Sequence, residues 1–201
     1  GHKSPEATRE RIAGISEALN RLFSLINRFM SDDRENRFQP EPLTIGSLLL
    51  DVRLHFGMTN QGERLTLTAD DERTSFLADP EMLTTIIINL IDNALKYSPP
   101  DQPIDVDVRR RDSDLIIQVR DRGIGIPASE LHKIGRRFFR ASNAATRGGS
   151  GLGLYTSRKL LDYHGGALQL NANSDRGMTA TVSLPLPVAA TAQPHMDHVT
   201  A

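Results

Sequence analysis

The sequence predicts a two-layer α/β sandwich, a mixed sheet covered by helices on one face, preceded by a long N-terminal bundle helix. Three observations carry that expectation. Two pairs of strand-like runs alternate apolar and polar residues, so each strand has one side for a core and one for water. Helical segments with apolar faces precede and separate those pairs and supply the covering layer. Residues 4–36 repeat their large apolar residues at heptad spacing, the pattern of a helix that packs lengthwise on other helices.

In that first segment Ile12, Ile15, Leu19, Leu22, Ile26 and Phe29 are spaced 3-4-3-4-3, and Phe23, Leu25 and Met30 widen the stripe. It reads as a bundle or dimer helix, with a core helix of the following domain as the plainer alternative. Pro40 and Pro42 stop it and mark a joint. Thr44 is placed as the N-cap of a helix carrying Leu48, Leu49, Val52, Leu54 and Phe56, with Gly57 and Gly62 bracketing its end. Two short strand-like runs follow, 65–68 and 75–78. Asp79-Pro80 then opens a helix to Tyr97, with proline where a missing N–H is harmless, and Ser98-Pro99-Pro100 closes it.

Ile104, Val106 and Val108, then Leu115, Ile117 and Val119, form the inward sides of one hairpin. Leu168 and Leu170, then Met178, Ala180, Val182 and Leu184, form those of a second. Between the hairpins come a Gly-rich turn at 123–127, a short basic helix, a small-residue stretch at 141–151 and a helix over 152–164. From 188 the tail has no period and reads as disordered. The domain boundaries expected are therefore 1–38, 39–187 and 188–201.

Composition narrows the function. With 201 residues, 38% hydrophobic and 24% charged, the chain can bury a core. Lys+Arg 24 against Asp+Glu 25 leaves a charge of −1 and no reason to expect a nucleic-acid partner. The absence of cysteine removes disulfides, cysteine nucleophiles and Cys-ligated zinc. Neither a bilayer-spanning run nor a signal peptide is visible, so a cytoplasmic location is expected, any membrane anchor of a parent protein lying upstream.

Three stretches carry candidate chemistry. On the helix 80–97, Leu83, Ile87, Leu90, Ile91, Ala94 and Leu95 share one side, while Asn89, Asn93 and Lys96 share the other, with Tyr97 at its edge. Asn carbonyls are neutral oxygen ligands suited to Mg²⁺ when phosphates bring the negative charge, and Lys96 can meet a phosphate as a point charge. A solvated helix face is the plain alternative. Asp121-Arg122-Gly123-Ile124-Gly125-Ile126-Pro127 follows a strand; its glycines admit a flat ligand, and its carboxylate can accept from an exocyclic amine. Gly148-Gly149-Ser150-Gly151-Leu152-Gly153-Leu154 precedes a helix whose free N–H groups favour phosphate. It is neither a Walker A loop nor a Rossmann fingerprint.

In order along the chain, Asn-x-x-x-Asn-Ala-x-Lys-Tyr, Asp-x-Gly-x-Gly-Ile-Pro, Phe-Phe-Arg and Gly-Ser-Gly-Leu-Gly-Leu resemble the ATP-binding catalytic domain of bacterial sensor histidine kinases. That domain belongs to the wider group of gyrase, Hsp90 and MutL, and the resemblance covers about residues 39–187. It implies a Bergerat fold that uses ATP and Mg²⁺. By motif, Asn89 and Asn93 resemble the N-box residues, Asn93 foremost as metal ligand; Asn89 and Lys96 become the catalytic pair, and Tyr97 packs on the nucleotide. Asp121 matches the adenine-reading aspartate, with Gly123, Gly125 and Ile126 shaping the pocket floor. Phe138, Phe139 and Arg140 resemble the end of the F-box, residues 141–150 the ATP lid, and Gly149, Gly151, Leu152 and Gly153 its phosphate-facing end.

One departure stands out: the family pattern has Phe where this chain has Gly135, which predicts looser packing of the lid. The chain also shows one helix of the two expected in a phosphoacceptor hairpin, resembling the second, and His55, His132 and His164 fit structural or surface roles. The implied partners are ATP and ADP, a phosphoacceptor helix of the parent kinase, a response-regulator receiver domain, and a second copy through the N-terminal helix. Alternatives are an ATPase of the gyrase kind, disfavoured because Asn89 cannot act as general base, a serine kinase of the anti-sigma-factor type, and a nucleotide-independent interaction module.

Overall fold

The computed structural model describes residues 38–57, 59, 61–144 and 149–186. The expected heptad helix over 4–36, residues 145–148 of the lid, the tail from 188, and His2, His195 and His198 lie outside the described residues.

The chain enters through β1 (Glu41–Thr44), an edge strand paired antiparallel with β3 (Ser75–Ala78). The prolines of this stretch predict a joint; the structure has a strand there instead. Pro42 is tolerated here because an edge strand need not donate on both sides. Helix α1 (Ile45–Gly57) starts at a reciprocal cap: the Ser47 N–H donates to Thr44 Oγ1 at 3.1 Å and the Thr44 N–H to Ser47 Oγ at 3.1 Å. It buries Ile45, Leu48, Leu49, Val52 and Phe56, at i, i+3, i+4, i+7 and i+11. Leu54 departs from that period and is 60% exposed, as Leu50 is 51% exposed.

Five strands form the main sheet in the order β2-β4-β5-β7-β6: β2 (Leu65–Ala69), β4 (Ile104–Arg111), β5 (Asp114–Arg120), β6 (Ala167–Ala172) and β7 (Met178–Pro185). Both expected hairpins form, with Val106 opposite Val119 and Leu168 opposite Val182. The β2–β4 pair is parallel, which makes the sheet mixed. One face of it is apolar and buried under α1, α2 (Pro80–Tyr97) and α3 (Gly153–Tyr163). Its other face stays polar: Thr68 Oγ1 donates to Asp107 Oδ1 at 3.0 Å, and Gln118 Nε2 to Thr181 Oγ1 at 3.2 Å.

Helix α2 is the spine. Asp79 Oδ1 accepts the Met82 N–H at 3.0 Å as the N-cap, and Pro80 occupies the first turn. Leu83, Ile86, Ile87 and Ile91 are essentially inaccessible to water. At this end Asp79 is itself buried. Its Oδ2 accepts the Gln39 N–H at 2.9 Å, and its N–H donates to His164 Nε2 at 3.1 Å. An acceptor at Nε2 places the ring proton on Nδ1, which donates to the Leu160 carbonyl at 2.8 Å. Phe38 meets the same ring edge-on at 4.8 Å. His164 is therefore a structural histidine, and burial holds its pKa below the usual imidazole value against the opposing pull of the Leu160 carbonyl and Asp79.

Candidate functional site

At the opposite end of α2 the two layers part. A cavity of about 310 Å³ opens between the last two turns of α2, the inner face of β5, β6 and β7, the turn after β5, and the segment running into α3. Its helix wall carries Asn89, Asn93, Lys96 and Tyr97, the four residues expected there. They reach one cavity because i, i+4 and i+7 lie on one side of a helix. Asp92 lines the cavity too, since residues three apart are neighbours on a helix surface.

The Asn pair is held against the start of α3. A Cβ on Gly153 would lie 3.8 Å from both Asn89 Oδ1 and Asn93 Nδ2, ordinary contact distance, so the helix start packs close against the two amides. Behind them Ser157, fully buried, receives the Asn89 Nδ2 donor at a long 3.5 Å. Ser157 is not among the residues the motifs point to; its signal in the sequence is a lone hydroxyl on the otherwise apolar face of α3 that carries Leu160 and Leu161. Lys96 stands over the Tyr97 ring, its Nζ 5.1 Å from the ring centre. Its ammonium also abuts Gly149, where any Cβ would strike Nζ and where φ is +135°, a conformation other residues avoid.

Asp121 sits where β5 ends. Two backbone donors converge on its Oδ1, the Gly123 N–H at 2.7 Å and the Met178 N–H at 3.2 Å. Among the described residues no hydrogen-bond donor is seen on Oδ2. Burial raises the Asp121 pKa, and the two N–H groups pull it partly back. A half-buried carboxylate with one oxygen pinned by backbone and the other available is suited to accept one directed hydrogen bond from a planar ligand. Gly125 and Ile126 line the cavity beside it, while Gly123 lies beneath, holding Asp121 rather than touching the space.

Phe139 and Arg140 complete the rim with Gly149, Gly151 and Gly153, whereas Leu152 is not part of the lining. Arg140 Nη2 donates to the Ala144 carbonyl at 2.7 Å, and Asn143 Nδ2 reaches the Gly125 carbonyl at 3.1 Å, tying the start of the lid to the turn after β5. Phe138 is 66% exposed with φ +62°, and its N–H donates to the Gly151 carbonyl at 3.1 Å. The floor residues Val119, Leu170, Met178 and Ala180 were named in the sequence only as strand residues.

The donor set suits a phosphate-bound cation better than a protein-caged one. Among the described residues no cluster of three His, Cys, Asp or Glu side chains could hold a metal. The cavity instead offers neutral amide oxygens beside an ammonium.

Residues 78–188 match the family described as "Histidine kinase-, DNA gyrase B-, and HSP90-like ATPase". The chain belongs to that family. The histidine kinase-like ATPase assignment agrees with its relatives. Sensor histidine kinase WalK of Bacillus subtilis (strain 168) is 31% identical over 174 residues, covering 82% of this chain and 28% of the relative. Circadian input-output histidine kinase CikA of Synechococcus elongatus is 31% identical over 192 residues, covering 90% and 25%. The chain thus spans a third or less of the curated relatives it matches. Among solved structures, a mycobacterial sensor histidine kinase, MprB, superposes with TM-score 0.61 at 29% identity, covering 73% of this chain and 98% of the other. This is a histidine kinase-like ATPase catalytic domain with the nucleotide-binding fold of that family. No helix among the described residues is long and apolar enough to cross a membrane.

Proposed function

We propose that this domain binds Mg²⁺-ATP in the cavity and presents the γ-phosphoryl group to a histidine imidazole on a phosphoacceptor helix. The phosphohistidine would then be relayed to an aspartate of a response regulator. The observation that supports this most directly is one cavity lined both by Asp121 and by Asn89, Asn93, Lys96 and the glycines. The first suits an adenine amine and the second a metal-bound polyphosphate.

In this reading Asp121 Oδ2 accepts from the exocyclic amine, and Tyr97, Ile126 and Met178 flank the base. Asn93 and Asn89 offer carbonyl oxygens to a cation carried by the phosphates, while Lys96 and the backbone of Gly149, Gly151 and Gly153 neutralise phosphate charge. Bound magnesium supplies charge neutralisation across the phosphate oxygens. The imidazole nitrogen forms the new bond to the γ-phosphorus as the bond to the bridging β–γ oxygen breaks, and ADP leaves. The protein's own contribution is positioning and electrostatics. Asn89 cannot take a proton from water, so steady hydrolysis is the weaker reading. Dimerisation through residues 12–30 and docking to a receiver domain belong to the same proposal.

The test is titration with a fluorescent ATP analogue, with and without Mg²⁺, on the unaltered chain and on Asp121→Ala. Saturable binding that ADP displaces and that the substitution abolishes is expected. Absence of binding to the unaltered chain overturns the proposal.

A further inference from the structure

The glycine that departs from the family pattern has its space filled from another element. A Cβ on Gly135 would lie 2.9 Å from Arg158 Cζ, 2.9 Å from Nε and 3.0 Å from Nη1. Three guanidinium atoms at nearly equal distance from that point mean that the face of the Arg158 guanidinium covers the side of Gly135 from which a side chain would start. The φ of Gly135, +86°, is one that glycine adopts freely. Arg158 belongs to α3, three residues after Tyr155, so both project from one side of that helix. Tyr155 meets a guanidinium from the opposite direction: Arg137 Cζ stands 5.4 Å from its ring centre and 5.8 Å from that of Phe138. The segment 135–138 and α3 thus exchange two guanidinium contacts, one from each side.

This clasp joins the two roots of the lid. One root is the segment through Phe139 and Arg140; the other is Gly151–Gly153 at the start of α3, held to the first by the Phe138–Gly151 hydrogen bond. Gly135 itself lines the cavity, and Ile134 next to it anchors a small apolar cluster with Ala141 and Ala144.

The geometry points to Arg158 as a positioning residue for the nucleotide site. Its guanidinium, stacked on Gly135, sets the separation of the lid's two roots and replaces the packing that a side chain at position 135 would supply. The pair is a unit: Gly135 leaves free the place where a side chain would start, and the Arg158 guanidinium occupies it. Its bearing on ATP rests on the function proposed above; the contact itself does not.

A double-substitution cycle tests it. Gly135→Ala, Arg158→Ala and the double variant are compared with the unaltered chain by nucleotide dissociation constant and by hydrogen exchange across 134–144. Each single substitution is expected to weaken nucleotide binding and speed exchange. The backbone strain of alanine at φ +86° is common to both backgrounds and cancels, so the penalty of Gly135→Ala should shrink by about threefold or more once Arg158 is gone. Penalties that simply multiply overturn the clasp. Arg158→Lys is a second check that leaves position 135 untouched. It keeps the charge but cannot stack flat, and it should behave like Arg158→Ala; wild-type behaviour would overturn the stacking argument. If the unaltered chain binds no nucleotide, the functional reading fails, and the exchange cycle still decides the clasp.

Discussion

The two ends of α2 are built on opposite principles. At its start, the polar groups are consumed by one another: Asp79 caps the helix, holds Gln39 and donates to His164, whose ring bonds Leu160 and packs on Phe38. At its finish, Asn89, Asn93, Lys96 and the Asp121 facing them line a cavity, and the apolar support shrinks from the large core to the small cluster of Ile134, Ala141 and Ala144. One helix therefore joins an end that stabilises the fold to an end kept available for a ligand. Burial raising the Asp121 pKa belongs to that second design, because a carboxylate is held there at some expense to stability.

Substitutions should separate the two ends. The largest effect is expected in the shared core, where Ile86→Ala, at a fully buried site, should remove about 2–5 kcal/mol of stability in chemical denaturation. Next, Asp121→Asn should weaken nucleotide binding by about 10–100-fold, the worth of a charged hydrogen bond, while leaving stability equal or higher at neutral pH. A loss of stability as large as the loss of binding would break the comparison. Asp79→Ala should do the reverse, lowering stability by about 1–3 kcal/mol through the lost cap and Gln39 anchor while the folded fraction keeps its nucleotide affinity.

The smallest effects depend on pH. His164 has a lowered pKa in the folded state, so the unfolded chain binds the proton more readily. Its contribution to stability is whole above about pH 6.5 and falls as pH drops through that value. Urea titrations from pH 7.5 to 5 should show this slope, and His164→Gln should flatten it. Asp121 has the opposite sign. Its raised pKa means that its contribution to stability is lost as pH rises through that value, whereas nucleotide binding, which needs the carboxylate, weakens as pH falls through it.

Much of this was legible in the residues. The bounds of α2 followed from Asp79-Pro80 and Ser98-Pro99-Pro100, since capping and proline act locally. The hairpins followed from strict alternation between two faces. The parallel β2–β4 pair did not, because alternation says which face is buried and nothing about which strand lies alongside. β1 hid behind Pro40 and Pro42, which stop helices but are acceptable at a sheet edge. At the cavity, of the residues named from the motifs only Gly123, Phe138 and Leu152 are not part of the lining. The floor of Val119, Leu170, Met178 and Ala180 was visible only as strand interior, because where helices part from a sheet is a property of packing. Gly135 was readable as a departure, but its partner Arg158 lies 23 residues on and meets it only in the fold.

The most direct test of the central claim, that the open end of α2 serves an adenine nucleotide read by Asp121, pairs a change in the protein with a change in the ligand. Affinities of ATP and of a purine riboside triphosphate lacking the exocyclic amine should be measured by calorimetry on the unaltered chain and on Asp121→Ala. The account predicts that the unaltered chain prefers ATP by about tenfold or more and that the preference vanishes in the variant. Equal affinity for the two ligands in the unaltered chain, or a preference that survives the substitution, would contradict it.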